Sequence, residues 1–263
     1  TFENEMPNIN GLSSSRELFD IMAKIEAMVE AEGIQDAVVI SEYPTWAPVC
    51  SRLKARFGFP VAFDYLDDVR DFTHIEHSGF LNECFDQMFG ISDLVFASSQ
   101  YLFDKARQKN ECCTLLRNGT EFEHFYQAYG KHEDKKRPVI GYYGEISNWF
   151  DDRLMTYAAE KLPEYDFVLI GNTVYGHVDE LEKLPNVKLL GEKPYGELPG
   201  YLKDFDVAVI PFDASRDLIK ATNPVKFYEY LSAGKKVVAT EIPELLPFRN
   251  KYALLDNDPG QFV

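Results

Sequence analysis

The side chains best placed to do chemistry in this chain are Lys226 and Glu229, three positions apart in the stretch 220–240. Asn223 suits the N-cap of a short helix, and Pro224 suits its first position, where a missing N–H costs nothing. Gly234 suits the left-handed residue that ends it. At about 100° per residue, Phe227, Tyr228 and Leu231 fall on one side, and Lys226 and Glu229 point together to the other. Free amides and the positive dipole end make the helix start an anion site, with Lys226 in the first turn. The pattern predicts a diphosphate at that corner, with Glu229 one turn on to accept a hydroxyl hydrogen bond. The competing expectation is an ordinary exposed ion pair on a surface helix.

Other candidates are weaker. Asp67 and Asp68 follow a strand and would line a substrate cleft or cap the next helix; Asp67 is kept as a candidate catalytic carboxylate beside Lys226. Gly141 and Gly144 allow close backbone approach to a phosphate, although the Gly-x-Gly-x-x-Gly dinucleotide fingerprint is missing. Tyr195, after Gly191, could stack on a base. Tyr43-Pro44-Thr45-Trp46 either shapes a substrate subsite or buries its Trp. His74 and His77 lack a convincing third ligand, so no metal is expected. Ser51-Arg-Leu-Lys-Ala-Arg56 raises peripheral contact with an anionic membrane, but three charges are few and a solvated face is preferred.

These residues need a scaffold. The chain has 263 residues, 45% hydrophobic, enough for one large or two ordinary cores. A net charge of −16 argues against nucleic acid as the main partner but allows a local anion site. Cys50, Cys84, Cys112 and Cys113 have no metal-ligand spacing, and the adjacent pair makes a disulfide framework improbable, so a reducing cytoplasm is expected. Residues 1–15 read as a loop and Ser15–Glu32 as a helix with Leu18, Ile21, Met22, Ile25 and Met28 on its apolar stripe. Strands at 36–41, 61–65, 93–99 and 114–119 alternate with helices. After the charged, apolar-free segment 131–138, strands at 139–144, 165–171, 187–191, 206–212, 237–239 and 252–256 repeat the alternation. That pattern predicts two parallel-sheet domains, 1–133 and 134–263, with ligands beyond the carboxyl ends of the strands.

The ordered blocks resemble the GT-B glycosyltransferases, specifically the group 1 (family 4) retaining enzymes of bacterial polysaccharide biosynthesis. Leu115–Phe125 is similar to the block that closes that family's first domain, and Ile140–Ile146 to the first strand and turn of its donor domain. Asn223-Pro-Val-Lys-Phe-Tyr-Glu-Tyr-Leu-Ser-Ala-Gly-Lys-Lys-Val-Val-Ala-Thr240 is the most specific match. The matches span roughly residues 36–255. They imply an α/β fold of two Rossmann-like domains facing each other across a cleft, the first incomplete, in a chain cut from a longer one at both ends. They imply a nucleotide diphosphate sugar as co-substrate, a saccharide or lipid-linked acceptor, no metal or other cofactor, and a cytoplasmic site, at or near the inner membrane face.

Carried over by position, the donor contacts are Gly144, Glu145, Asn223, Pro224, Val225 and Lys226 with Glu229 for the ribose, and Tyr195 is added for the base. Two departures stand out. The family's first motif glutamate falls on Ala221, and Glu145 occupies the place of an arginine whose charge Arg153, Arg216 or Lys220 would have to replace. Those departures support an alternative, a non-catalytic nucleotide- or partner-binding module. A sugar-nucleotide epimerase of the same fold would need cleft carboxylates that the sequence does not identify.

Overall fold

A computed structural model describes residues 16–71, 79–130, 136–173 and 177–263. The expected loop 1–15, the His74/His77 pair and most of the charged segment 131–138 lie outside the described residues. The chain divides into two compact units, Thr1–Arg117 and Asn118–Val263.

The first unit runs α1 (Arg16–Ala31), β1 (Val39–Ser41), α2 (Ala47–Phe57), β2 (Val61–Tyr65), α3 (Gly79–Ile91), β3 (Leu94–Ala97), α4 (Gln100–Arg107) and β4 (Cys113–Leu115). The strands pair in parallel in that order. β2 is buried along nearly its whole length, as a parallel strand covered on both faces must be. Its Phe63 and Tyr65 meet Phe85 and Phe89 of α3, with ring centroids 5.3 to 6.3 Å apart. The stripe of α1 differs from expectation at one place: Leu18, Met22 and Ile25 pack on Val49 and Leu53, but Met28 is exposed and Val29 is buried. Glu26 is buried beside them because Arg52 and Arg56 of α2 both pair with it, and Lys54 reaches Asp93 at 2.8 Å. The three cations of segment 51–56 are therefore engaged within the unit and do not form a free basic face.

The second unit contains α5 (Phe122–Tyr126), β5 (Val139–Tyr143), α6 (Asp152–Lys161), β6 (Asp166–Ile170), β7 (Val187–Leu189), α7 (Leu198–Lys203) and β8 (Val207–Ile210). It continues with α8 (Asp217–Ala221), α9 (Val225–Ser232), β9 (Lys236–Ala239), β10 (Ala253–Leu255) and α10 (Pro259–Phe262). Its parallel sheet has the order β10-β9-β8-β5-β6-β7. The order reverses between β5 and β8, and a crevice opens at such a switch point, at the carboxyl ends of the strands. The unit begins at Asn118, ahead of the 134 expected, because Phe125 and Ala128 are buried in its core. Gly141 serves that core too: a β-carbon there would lie 2.2 Å from the Phe205 ring. Of the two glycines expected at a phosphate, only Gly144 reaches the strand end.

Candidate functional site

Helix α9 is seated by Phe227 and Tyr230, both fully buried and three residues apart. The Tyr143 backbone N–H donates to the Tyr230 hydroxyl at 3.2 Å, which ties the helix to the end of β5. The helix is entered through Pro224, which is extended and makes no side-chain cap. Asn223 is not the cap that the sequence suggested. It is buried, accepts a hydrogen bond from the Asn118 backbone N–H (3.1 Å), and donates to Glu244 (3.0 Å) and the Tyr228 hydroxyl (3.2 Å). The Asn118 amide donates in turn to the Asn223 carbonyl at 2.7 Å. Asn223 therefore fixes the approach to α9, and among the described residues no side-chain cap bonds the first amides of the helix. Pro224 is buried and Val225 exposed at that start.

Lys226 lies at the switch point. Its Nζ is 5.0 Å from the centroid of Tyr142, on β5, and 4.7 Å from that of Phe212, just after β8. Among the described residues no hydrogen bond or ion pair holds it. Gly144, at φ 131°, makes room for it, since a β-carbon there would come within 2.8 Å of its Cε. Burial pushes the Lys226 ammonium down to about 8, against the pull of Glu229 and Glu145. Gly171 completes the corner: a β-carbon on it would sit 1.9 Å from the Gly144 carbonyl oxygen.

Glu229 is buried, which corrects the expectation of an exposed cation–carboxylate face. Burial raises its carboxyl, opposed by the Tyr143 hydroxyl and by the charges of Lys226 and His124. Glu145 is exposed; its charge acts on Lys226, and its carbonyl accepts a hydrogen bond from the Tyr142 hydroxyl at 2.9 Å. Tyr195 stacks on His124 at 4.7 Å and 11°, so one of its faces is already covered while the ring remains 46% exposed. Lys226, Gly144, Glu145 and Glu229 thus come together, with Tyr195 beside His124.

Ala221 is fully buried in α8. Lys220 turns to Asp217 at 2.6 Å, whereas Arg153 and Arg216 line one cavity. Local spacing did not reveal Tyr142, Phe212, Tyr143 or His124. The first three read only as strand residues, and the Phe212 ring meets Lys226 because β8 lies beside β5 in the sheet.

In the first unit Asp67 is open to solvent, yet desolvation at the strand end and the charge of Asp68 raise its carboxyl to about 6. Asp68 is buried and accepts bonds from Arg70 and Lys105 at 2.7 Å and from the Tyr65 hydroxyl at 2.8 Å. These partners hold it far below the usual carboxylate range despite its burial. It also accepts the Arg70 backbone N–H at 3.2 Å. Trp46 is 43% exposed while Pro44 and Thr45 are buried, so of the two alternatives for this segment the buried Trp does not hold. Among the described residues no three His, Cys, Asp or Glu side chains are grouped to hold a metal, and no helix is long and apolar enough to cross a membrane.

Residues 137–263 match a family model described as "Glycosyl transferases group 1". Over 173 residues the chain is 30% identical to TuaH of Bacillus subtilis (strain 168), named as a teichuronic acid biosynthesis glycosyltransferase. That match covers 61% of this chain and 43% of TuaH, so it spans less than half the length of this relative. Among solved structures, sucrose-phosphate synthase from Thermosynechococcus elongatus superposes with a TM-score of 0.71 at 16% identity, over 92% of this chain and 65% of its own. HepE from Anabaena, in complex with UDP and glucose, superposes with a TM-score of 0.68 at 16% identity, over 95% and 71%.

Proposed function

From the match of residues 137–263 to the group 1 glycosyltransferase model and the GT-B fold, we propose that the chain transfers a sugar from a nucleotide diphosphate donor to an acceptor in cell-surface polysaccharide synthesis. The acceptor is a saccharide or a lipid-linked saccharide, and the transfer retains configuration. The observation that carries the reading is Lys226, an ammonium with no bonded counter-ion among the described residues, at an uncapped helix start on the switch point of a parallel sheet. As the bond from the anomeric carbon to the diphosphate breaks, negative charge grows on the leaving oxygen. Lys226 and the first amides of α9 stabilise that charge more than the ground state, which is what accelerates the step. Glu229 accepts from the ribose hydroxyls, and Asp67 is the acceptor-side carboxylate. This scheme asks for no metal. It is supported by the UDP and glucose in the HepE complex, a protein of similar fold.

A thermal-shift screen against UDP, GDP, dTDP and ADP tests it. A nucleotide at a hundred times its Kd should stabilise the fold by about 2.7 kcal/mol. No shift from any nucleotide would sink the proposal. The second reading, a nucleotide- or partner-binding module without catalysis, is favoured by Ala221, which is buried and apolar where the family resemblance implies a sugar-binding glutamate. Nucleotide binding without donor hydrolysis or transfer by the full-length protein would select it.

A further inference from the structure

Among the described residues the Val225 and Lys226 N–H groups at the start of α9 make no hydrogen bond, and the first backbone bond there runs from the Phe227 N–H to the Pro224 carbonyl at 3.1 Å. Asparagine is among the strongest capping residues, and a small change would put Asn223 in that role. Pro224 has φ −74°, which is already helical, and ψ 113°, which is not. Rotating that one ψ would wind the helix back by a residue, with Pro224 at its first position and Asn223 as N-cap. The Asn223 oxygen would then take the Val225 or the Lys226 amide, the same donors that an anion at this corner needs.

In the structure every polar atom of the Asn223 amide is engaged away from the helix amides. Its Nδ2 donates to Glu244 at 3.0 Å and to the Tyr228 hydroxyl at 3.2 Å, and its Oδ1 accepts from the Asn118 N–H at 3.1 Å. Glu244 sets this orientation. It stands on the 3-10 turn Pro243–Phe248 that follows β9, it is 2% exposed, and an ionised carboxylate only accepts. The amide nitrogen must therefore face Glu244, which turns the oxygen toward the Asn118 N–H, a group that only donates. Both bonds are shielded from water, and breaking one would leave a buried polar atom without a partner.

We propose that Glu244 is a positioning residue: by holding the Asn223 amide it keeps the start of α9 uncapped and its first amides open to an anion. This role rests on the diphosphate reading of Lys226 for the identity of the anion, and on Asn223 alone for the open amides. Capping and anion binding compete for the same two N–H groups, so a change that frees Asn223 lowers ligand affinity while it stabilises the helix. The competition is worth about fivefold in Kd, the equivalent of a cap's usual contribution of about 1 kcal/mol.

The test compares wild type, E244A, E244Q, N223A and the double variant N223A/E244A, each first checked by its melting curve. E244L, closer in volume, stands in should E244A not fold. Calorimetry with UDP and with inorganic pyrophosphate reads the open amides, and amide hydrogen exchange by NMR reads the cap directly. E244A should weaken both ligands about fivefold and slow exchange at Val225 and Lys226, because Asn223 then covers them. E244Q, whose carbonyl still accepts from Asn223, should keep both ligands within about twofold of wild type. Removing the competitor should restore binding, so N223A/E244A binds both ligands more tightly than E244A. A purely structural role for Glu244 would move the melting curve and give no such recovery. If E244A leaves affinity and exchange as in wild type, or if the double variant binds no better than E244A, the positioning role is refuted. If wild type binds neither UDP nor pyrophosphate, the diphosphate reading fails, and the exchange measurement alone decides whether Glu244 holds Asn223 off the helix.

Discussion

Lys226 makes the diphosphate reading testable by pH. Its ammonium rests on two rings with no bonded counter-ion among the described residues, and burial pushes it down to about 8, while an unfolded lysine titrates at about 10.4. Between these values the unfolded chain holds the extra proton, so this side chain adds folding stability as pH rises through that window. Ligand binding should run the other way, because the diphosphate needs the protonated form. With a titration near 8, the Kd for UDP should rise about tenfold from pH 7 to pH 9. The terminal phosphate of UDP is already doubly ionised there, with its second pKa at about 6, and contributes little to the slope. Lys226→Ala should lose a charge-assisted hydrogen bond of about 1.5–3 kcal/mol at pH 7. That corresponds to a Kd roughly ten- to a hundredfold weaker. The same variant should show a flat pH dependence. Calorimetry at pH 7, 8 and 9 on both proteins measures every quantity. A wild-type affinity indifferent to pH, or a slope that survives in Lys226→Ala, would refute the reasoning.

The packing sets further outcomes. Asp68→Ala leaves Arg70, Lys105 and Tyr65 around a buried gap and should cost about 3–5 kcal/mol in urea denaturation; Asp67→Ala, at an exposed position, should change stability by less than about 0.5 kcal/mol. Because its partners depress Asp68, its share of stability is present above the ordinary aspartate range and lost as pH falls below about 4; acid unfolding that is unchanged in Asp68→Asn would contradict this. Gly171→Ala must displace the Gly144 carbonyl, from which its β-carbon would be 1.9 Å away, and should weaken UDP binding together with a stability loss of about 1–3 kcal/mol. Ala221→Glu should not restore a sugar contact, because it buries a carboxylate in α8; a fall in the melting temperature without gain in donor affinity is expected, and improved turnover would overturn that placement.

Much of the scaffold was legible in the chain. Val139–Tyr143 carries no charged residue and Val61–Tyr65 only Asp64, as suits parallel strands covered on both faces, and the alternation of such runs with helices pointed to two parallel sheets. Lys226 was legible because Pro224 and Gly234 bracket a helix and put it in the first turn. The orientation of Glu229 was not. Helical spacing puts it beside Lys226 but does not say whether that face meets solvent or the end of β5, and here it meets Tyr143. Asn223 was misjudged for a similar reason: an Asn before a helix is a cap by local rules, until a backbone amide 105 positions away claims its oxygen. The α5 segment was missed because five residues are too few to show a period, and only the core they enter shows where they belong. Strand order is the deepest case. No local pattern states that β8 lies beside β5, since that pairing joins residues far apart in the chain, yet the residue just after β8, Phe212, ends under Lys226, and Arg216 lines one cavity with Arg153. The sequence by itself determined the sheet type and the anion-ready helix; the tertiary structure decided which side chains surround it, because burial and proximity depend on contacts that the local periodicity does not encode.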